Sequence, residues 1–258
     1  MTDKTSSPRT RALPDHPAVF RFLSGHSHAG GPPQRDTPPI VFLHIPKTAG
    51  SYLIDLIVHN LQIADRPDLF YAPHWMSAAR TAELFGPDRR LALILRDPVD
   101  RFVSAFQSRH RQGAPAYDTP WTDHEARVFR DYPDLDALID ALGSLWPKRR
   151  RAAVAAVAGM TLVPRDYTHA FGSLTGAQTS LEALSLCLPM ARLDRDLGLA
   201  MTALGFERFE MAERPLRNMA PTRPTLSPRR RSILERHLAE DIAIHDVLHQ
   251  HATRLHPE

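Results

Sequence analysis

Two short, uninterrupted apolar runs, Ile40-Val41-Phe42-Leu43 and Leu91-Ala92-Leu93-Ile94-Leu95, most narrow what this chain can fold into. Neither alternates with polar residues, which suits strands covered on both faces, as in parallel sheets. The first run breaks into His44-Ile45-Pro46-Lys47 and the second into Arg96-Asp97-Pro98. Apolar residues at helical spacing follow each break: Leu53, Ile54, Ile57, Val58 and Leu61 after the first, Phe102, Val103 and Phe106 after the second. Strand, turn and helix, twice over, predict a βαβ arrangement and a three-layer α/β fold with a central parallel sheet flanked by helices.

The rest of the chain reads more coarsely. Short helices are expected over Met76–Phe85, Leu135–Leu145 and Lys148–Ala158, an irregular stretch over Phe171–Ser180, a strand at Leu186–Leu188, a helix over Asp194–Leu204 and a strand at Phe206–Met211. Ser227-Pro228 is a cap with proline at the first helical position, and the pattern from Ile233 through Val247 carries one closing helix toward His249. Residues 1–38 are rich in Pro, Ser, Gly, His and Arg and predict a flexible tail with a short docked piece near Val19–Leu23; the domain proper is expected over 39–258. At 258 residues, 43% of them hydrophobic, the chain can bury a core.

Lys plus Arg number 32 against 29 for Asp plus Glu, a net charge of +3. That is too even for a protein dominated by contacts to a nucleic-acid backbone, and it leaves room for a local site for a small polyanion. One cysteine, Cys187, excludes an intrachain disulfide. The longest uncharged apolar stretch, Ala152 to Val163, runs about 12 residues, short of the roughly 20 that span a bilayer, and reads as a core helix. No transmembrane segment is expected, and the opening residues lack the apolar stretch of a secretory signal, so the expected location is cytoplasmic.

The turn Pro46-Lys47-Thr48-Ala49-Gly50-Ser51 joins a buried strand to a helix N-terminus, where free N–H groups and the helix dipole attract anions. Lys47 adds a charge, Thr48 and Ser51 add hydroxyls, and Gly50 allows close backbone approach. The nucleotide-kinase loop GxxxxGK[ST] is absent, because here the lysine precedes the glycine. In the second unit Arg96 stands at a strand's carboxyl end and Ser104 eight residues on, so a guanidinium fork and a hydroxyl can share one phosphate. The alternatives are a plain capped helix with a surface lysine at the first turn and a structural ion-pair knot at the second; for Asp97 and Arg101 the structural role is the expected one.

The pair FLHIPKTAGSYL and LILRDPVDRFVSAF resembles the sulfotransferase superfamily, in particular soluble, bacterial-type relatives of the carbohydrate sulfotransferases, whose usual patterns read HIPKTAGTS and RDPxxRxxSxY. The close match covers about 30 residues, with weaker echoes toward the C-terminus. The resemblance implies a P-loop-like fold and 3′-phosphoadenosine 5′-phosphosulfate (PAPS) as donor, with adenosine 3′,5′-bisphosphate as product and no metal required. By position it assigns Lys47, Thr48, Ala49, Gly50, Ser51 and Tyr52 to the 5′-phosphosulfate, Arg96 and Ser104 to the 3′-phosphate, and Asn218 to a further contact. Ser51 stands where threonine is commoner and Tyr52 where a small residue is usual. Relatives commonly carry a functional histidine between the two motifs, which makes His74 the expected general base, with Lys47 stabilising the leaving group; an ordinary packing role is the alternative for His74.

His44 is expected to support the first loop, and His110 and His124 are weaker candidates for the base. His245 and His249 lie one turn apart, but no third metal ligand is indicated. Lys148-Arg149-Arg150-Arg151 and Arg229-Arg230-Arg231 read as solvated helix starts that could also meet an anion. The expected acceptor is a small molecule, glycan or lipid bearing a hydroxyl or amine, bound by the segment from Gln112 to Thr179. A nucleotide binder without catalysis and an ATP-dependent phosphotransferase are the rival readings.

Overall fold

The computed structural model describes residues 38–61, 68–115, 118–211 and 224–256. The expected tail and Asn218 therefore lie outside the described residues, apart from the tail's last position. Four strands, β1 (Ile40–Leu43), β2 (Leu69–Ala72), β3 (Arg90–Leu95) and β4 (Leu184–Pro189), form one all-parallel sheet in the order β2-β1-β3-β4. Helix α1 (Gly50–Leu61) links β1 to β2, and α2 (Ala78–Phe85) links β2 to β3. After β3 come α3 (Pro98–His110), α4 (Asp123–Asp131), α5 (Leu135–Leu142), α6 (Pro147–Ala158), α7 (Tyr167–Phe171) and α8 (Leu174–Thr179). Beyond β4 lie α9 (Leu197–Ala203), α10 (Pro228–His237) and α11 (Ala239–Leu255).

Successive strand side chains point to opposite faces, so each apolar run feeds two cores at once. Ile40, Phe42, Ala92 and Ile94 pack with α1 and α9, whereas Val41, Leu43, Leu91, Leu93 and Leu95 pack with α2, α7, α8 and α11. The sheet is thus the middle of three layers, which is why its strands carry no polar alternation. A third cluster joins α3 to α4, α5, α6 and α10 as a helical lobe built on one side of the second strand-turn-helix unit.

Several expectations need correction. The segment Leu69–Ala72, unassigned in the sequence, is β2 and pairs with β1 from Ile40↔Leu69 to Leu43↔Ala72. The stretch expected to be irregular contains α8, opened by the Ser173 hydroxyl accepting from Gly176 N–H. Phe206–Met211 is not a strand; Phe206 is buried, and Asn60 takes the place of a neighbouring strand, accepting from Glu210 N–H at 2.7 Å and donating to Glu210 O at 3.0 Å. The closing helix breaks at Leu238, because α10 buries Ile233 and Leu234 in the helical lobe while α11 turns Ile244, Leu248 and Ala252 onto the sheet. The Ala-rich α6 is a surface helix rather than a core one, burying only Ala153, Ala156 and Val157. No helix among the described residues is long and apolar enough to cross a membrane.

Candidate functional site

The chain leaves β1 for β2 on one side, then crosses back so that β3 lies on the other. The carboxyl ends of β1 and β3 therefore flank a topological switch point, where open α/β sheets hold their ligands. A cavity of about 760 Å³ opens there. Its wall includes Lys47 and Ala49 from the loop after β1, Gly50, Ser51 and Tyr52 from the start of α1, Arg96 just past β3, Ser104 from α3, and His74 from the turn after β2. The two sequence motifs thus face one space. They also touch directly, since Arg96 Nη1 donates to Lys47 O at 2.9 Å.

The first loop is held in a conformation that ordinary residues avoid. Lys47 and Ala49 both have positive φ, 71° and 68°. Each left-handed non-glycine residue costs on the order of 1–3 kcal/mol and persists only where its surroundings enforce it. Thr48, between them, is buried, and its hydroxyl donates to Ile45 O at 2.8 Å. Its side chain is a brace for the loop and does not line the cavity, a correction to its expected role. Tyr52 and Leu53 N–H both reach back to Ala49 O, so the N–H groups of Gly50 and Ser51 belong to the open first turn of α1.

Gly50 is required for a reason the sequence did not disclose. A Cβ there would overlap the imidazole of His44, which lies buried beneath the loop. His44 Nδ1 and Tyr71 Oη are 2.7 Å apart, and the His44 ring meets the His74 ring edge-on at a centroid distance of 4.2 Å. Burial, then the neighbouring His74 and Lys47, holds His44 well below the ordinary imidazole range. Burial, with Arg165 and Lys47 nearby, lowers His74 to about 4. His74 Nε2 is buried with no hydrogen-bond partner.

The cations of the site crowd one another. Burial, followed by the charges of Arg111 and Arg96, lowers the Lys47 ammonium to about 8. Arg96 is positioned by its own peptide: its N–H donates to Tyr167 Oη, and the Tyr167 hydroxyl donates to Arg96 O, each at 2.8 Å. Tyr167 opens α7, and the next residue, Thr168, donates its N–H to buried Asp241 at 2.8 Å. Arg111, Arg165, Arg109 and Asp194 surround or line the cavity without having been singled out for it, and Arg231, from the run left open to an anion, lines it as well. Guanidinium groups clustered at the end of the second motif's helix could have pointed to Arg109 and Arg111; Arg165 and Asp194 carry no such signal.

The other histidines sit elsewhere. His110 contacts Pro133 O among Phe106, Trp121 and Phe129, and His124 contacts Ala156 O against Gly159. Neither lines the cavity. Asp97 caps α3 through Asp100 N–H and pairs with Arg231, and fully buried Arg101 donates to Val163 O at 2.7 Å; both are structural, but not through the expected ion-pair knot. Arg109 lines the cavity but is committed to Glu125, at 2.8 and 2.7 Å. Among the described residues no group of His, Cys, Asp or Glu is arranged to hold a metal ion.

Fold and site together define an α/β protein with a strained loop and clustered cations around a cavity at the switch point of a parallel sheet. No family model, curated protein or solved structure matches the chain.

Proposed function

We propose that this protein transfers a sulfuryl group from PAPS to a hydroxyl or amine acceptor, releasing adenosine 3′,5′-bisphosphate, on a P-loop-like framework. The observation that carries the reading is the single cavity shared by the Lys47–Ser51 loop and the Arg96/Ser104 pair. A nucleotide charged at both ends needs two anion cradles within one molecule's reach, and a volume of about 760 Å³ accommodates such a ligand together with a small acceptor. The electrostatics support it as well: Lys47 and Arg96 repel each other in the free protein, and an anion between them relieves that repulsion.

PAPS supplies an activated sulfuryl group whose transfer needs an acceptor losing its proton and a leaving phosphate whose growing charge is neutralised. Lys47 holds a positive charge beside the loop that would receive that phosphate. Arg96 and Ser104 offer a fork and a hydroxyl for the second phosphate. His74 lines the cavity, and its buried Nε2, which has no hydrogen-bond partner, accepts the acceptor's proton; a nearby polyanion raises its basicity from the low value of the free site toward the working range. His44, fixed by Tyr71 and Gly50, packs against the His74 ring and orients it. An ATP-dependent phosphotransferase is less well served, since Asp97, the carboxylate at the end of β3, is occupied in capping α3 and contacting Arg231.

The deciding measurement pairs calorimetry of adenosine 3′,5′-bisphosphate with turnover of labelled PAPS over a panel of acceptors. Wild type binds the product and sulfates at least one acceptor class. His74→Ala keeps affinity within a few-fold and loses about 10²–10⁴ in turnover; Lys47→Met loses both. Binding without turnover across the panel leaves a nucleotide-binding protein, and absence of binding removes the assignment.

A further inference from the structure

The two most exposed large apolar side chains among the described residues are neighbours: Leu145 is 93% exposed and Trp146 is 78% exposed. They form the tip between α5 and α6, and Lys148, Arg149, Arg150 and Arg151 follow within the first turns of α6. Every residue from Leu145 to Ala152 is exposed, and no acidic residue occurs between Ala141 and Arg165. None of the four cations forms an ion pair among the described residues; Arg149 acts only at a distance, helping to keep Asp140 ionised.

We infer that this tip docks the protein end-on to the surface of an anionic lipid bilayer, with Leu145 and Trp146 entering the headgroup boundary and the four cations meeting lipid phosphates. Geometry selects this occupant. Four consecutive helical residues are about 100° apart, so their side chains ring the helix rather than line one face. A partner lying alongside α6 would meet one or two of them, whereas a charged plane across the helix end meets all four. The apolar pair projects from a convex tip, which fits a soft apolar layer and offers no groove to a protein segment. Tryptophan at an interface beside Lys and Arg is the pairing such boundaries favour.

The tip is also built to keep its shape. Trp146 N–H donates to Ser144 Oγ at 3.2 Å, and Gly143 lies so close to Ile233 of α10 that a Cβ would overlap it. Four cations in the first turns of a helix oppose its dipole, and Trp146 supplies no side-chain cap. These local costs bring no contact within the fold.

The inference is tested with the full chain in vesicle flotation, using phosphatidylcholine with and without phosphatidylglycerol. Binding to the anionic vesicles, weakened by salt, is expected. Each cation removed should lower partitioning about fivefold, so Arg149→Ala/Arg150→Ala should lower it about 25-fold. Leu145→Ser/Trp146→Ser should lose binding, with unchanged circular dichroism melts and unchanged affinity for adenosine 3′,5′-bisphosphate or other cavity ligands. Brominated lipid should quench tryptophan emission in wild type and not in Trp146→Phe, which separates this tip from Trp75 and Trp121. Absence of binding, equal binding to uncharged vesicles, or a dimer in light scattering that the tip substitutions dissolve would overturn the inference.

Discussion

Lys47 holds its charge against both burial and two nearby guanidinium groups, and that conflict makes the residue sensitive to an anionic ligand. The free site loses the Lys47 proton near pH 8, below the ordinary lysine range. An anion favours the protonated form, so binding of adenosine 3′,5′-bisphosphate just above pH 8 should take up a proton and weaken as pH rises further. Calorimetry in buffers of different ionisation heat measures that uptake directly; identical enthalpies in all buffers would contradict it. Gly50 gives a second residue-level expectation. Gly50→Ala forces its new methyl into the buried His44 ring, and overpacking of this kind costs about 1–3 kcal/mol. Urea unfolding should show that loss, and bisphosphate affinity should fall with it because the loop moves.

At the scale of elements, the helical lobe is tied to the cavity wall by one buried ion pair. Glu125, near the start of α4, accepts from Arg109 of α3 and also from Thr122 N–H and from the Thr161 N–H and hydroxyl. Burial alone would push its carboxyl up, but the Arg109, Thr122 and Thr161 hydrogen bonds outweigh burial and hold it at about 2. Removing one partner strands the other charge in the interior. Glu125→Ala should therefore lose about 3–5 kcal/mol in urea unfolding, more than any exposed pair on α10 would show. The elements that define the cradle were visible in the sequence because each is local: an unbroken apolar run, a turn and an amphipathic helix. β2 was not, since Leu-Phe-Tyr-Ala becomes a strand by pairing with β1, and four residues of that composition carry no period of their own. The break at Leu238 was hidden for a related reason: both halves keep helical spacing and differ only in what they cover.

For the whole molecule, acid sensitivity follows from groups that titrate differently when folded. His74 is lowered to about 4, and His44 is lowered too, so between that range and the free-histidine value of 6.5 the unfolded chain binds more protons and stability rises with pH. Glu125 acts in the same direction at lower pH, contributing stability that is present above 4.5 and lost as pH falls toward about 2. Asp241, raised by burial and Asp166 to about 6, works the other way from 3.8 upward and offsets part of the histidine effect. Burial also lowers His237, His245, His251 and His256, so with six imidazoles against one carboxyl the urea midpoint should fall as pH drops below 6.5, and His74→Ala should flatten part of that fall. A midpoint that climbs on acidification would contradict the burial of these rings.

Residue type and order alone determined the parallel α/β class, the two loops at strand ends and the motif residues that line one part of the cavity, because strand burial, helix periodicity and turn chemistry act within a few positions. Only tertiary structure decided that Thr48 turns inward, that Gly50 makes room for His44, that His74 loses basicity beside Arg165 and that Arg111 reaches Lys47 with its charge. Those outcomes depend on which segments the crossover from β2 to β3 brings face to face. Distance between side chains far apart in the chain, and the desolvation that comes with it, is set by packing and leaves no local signature.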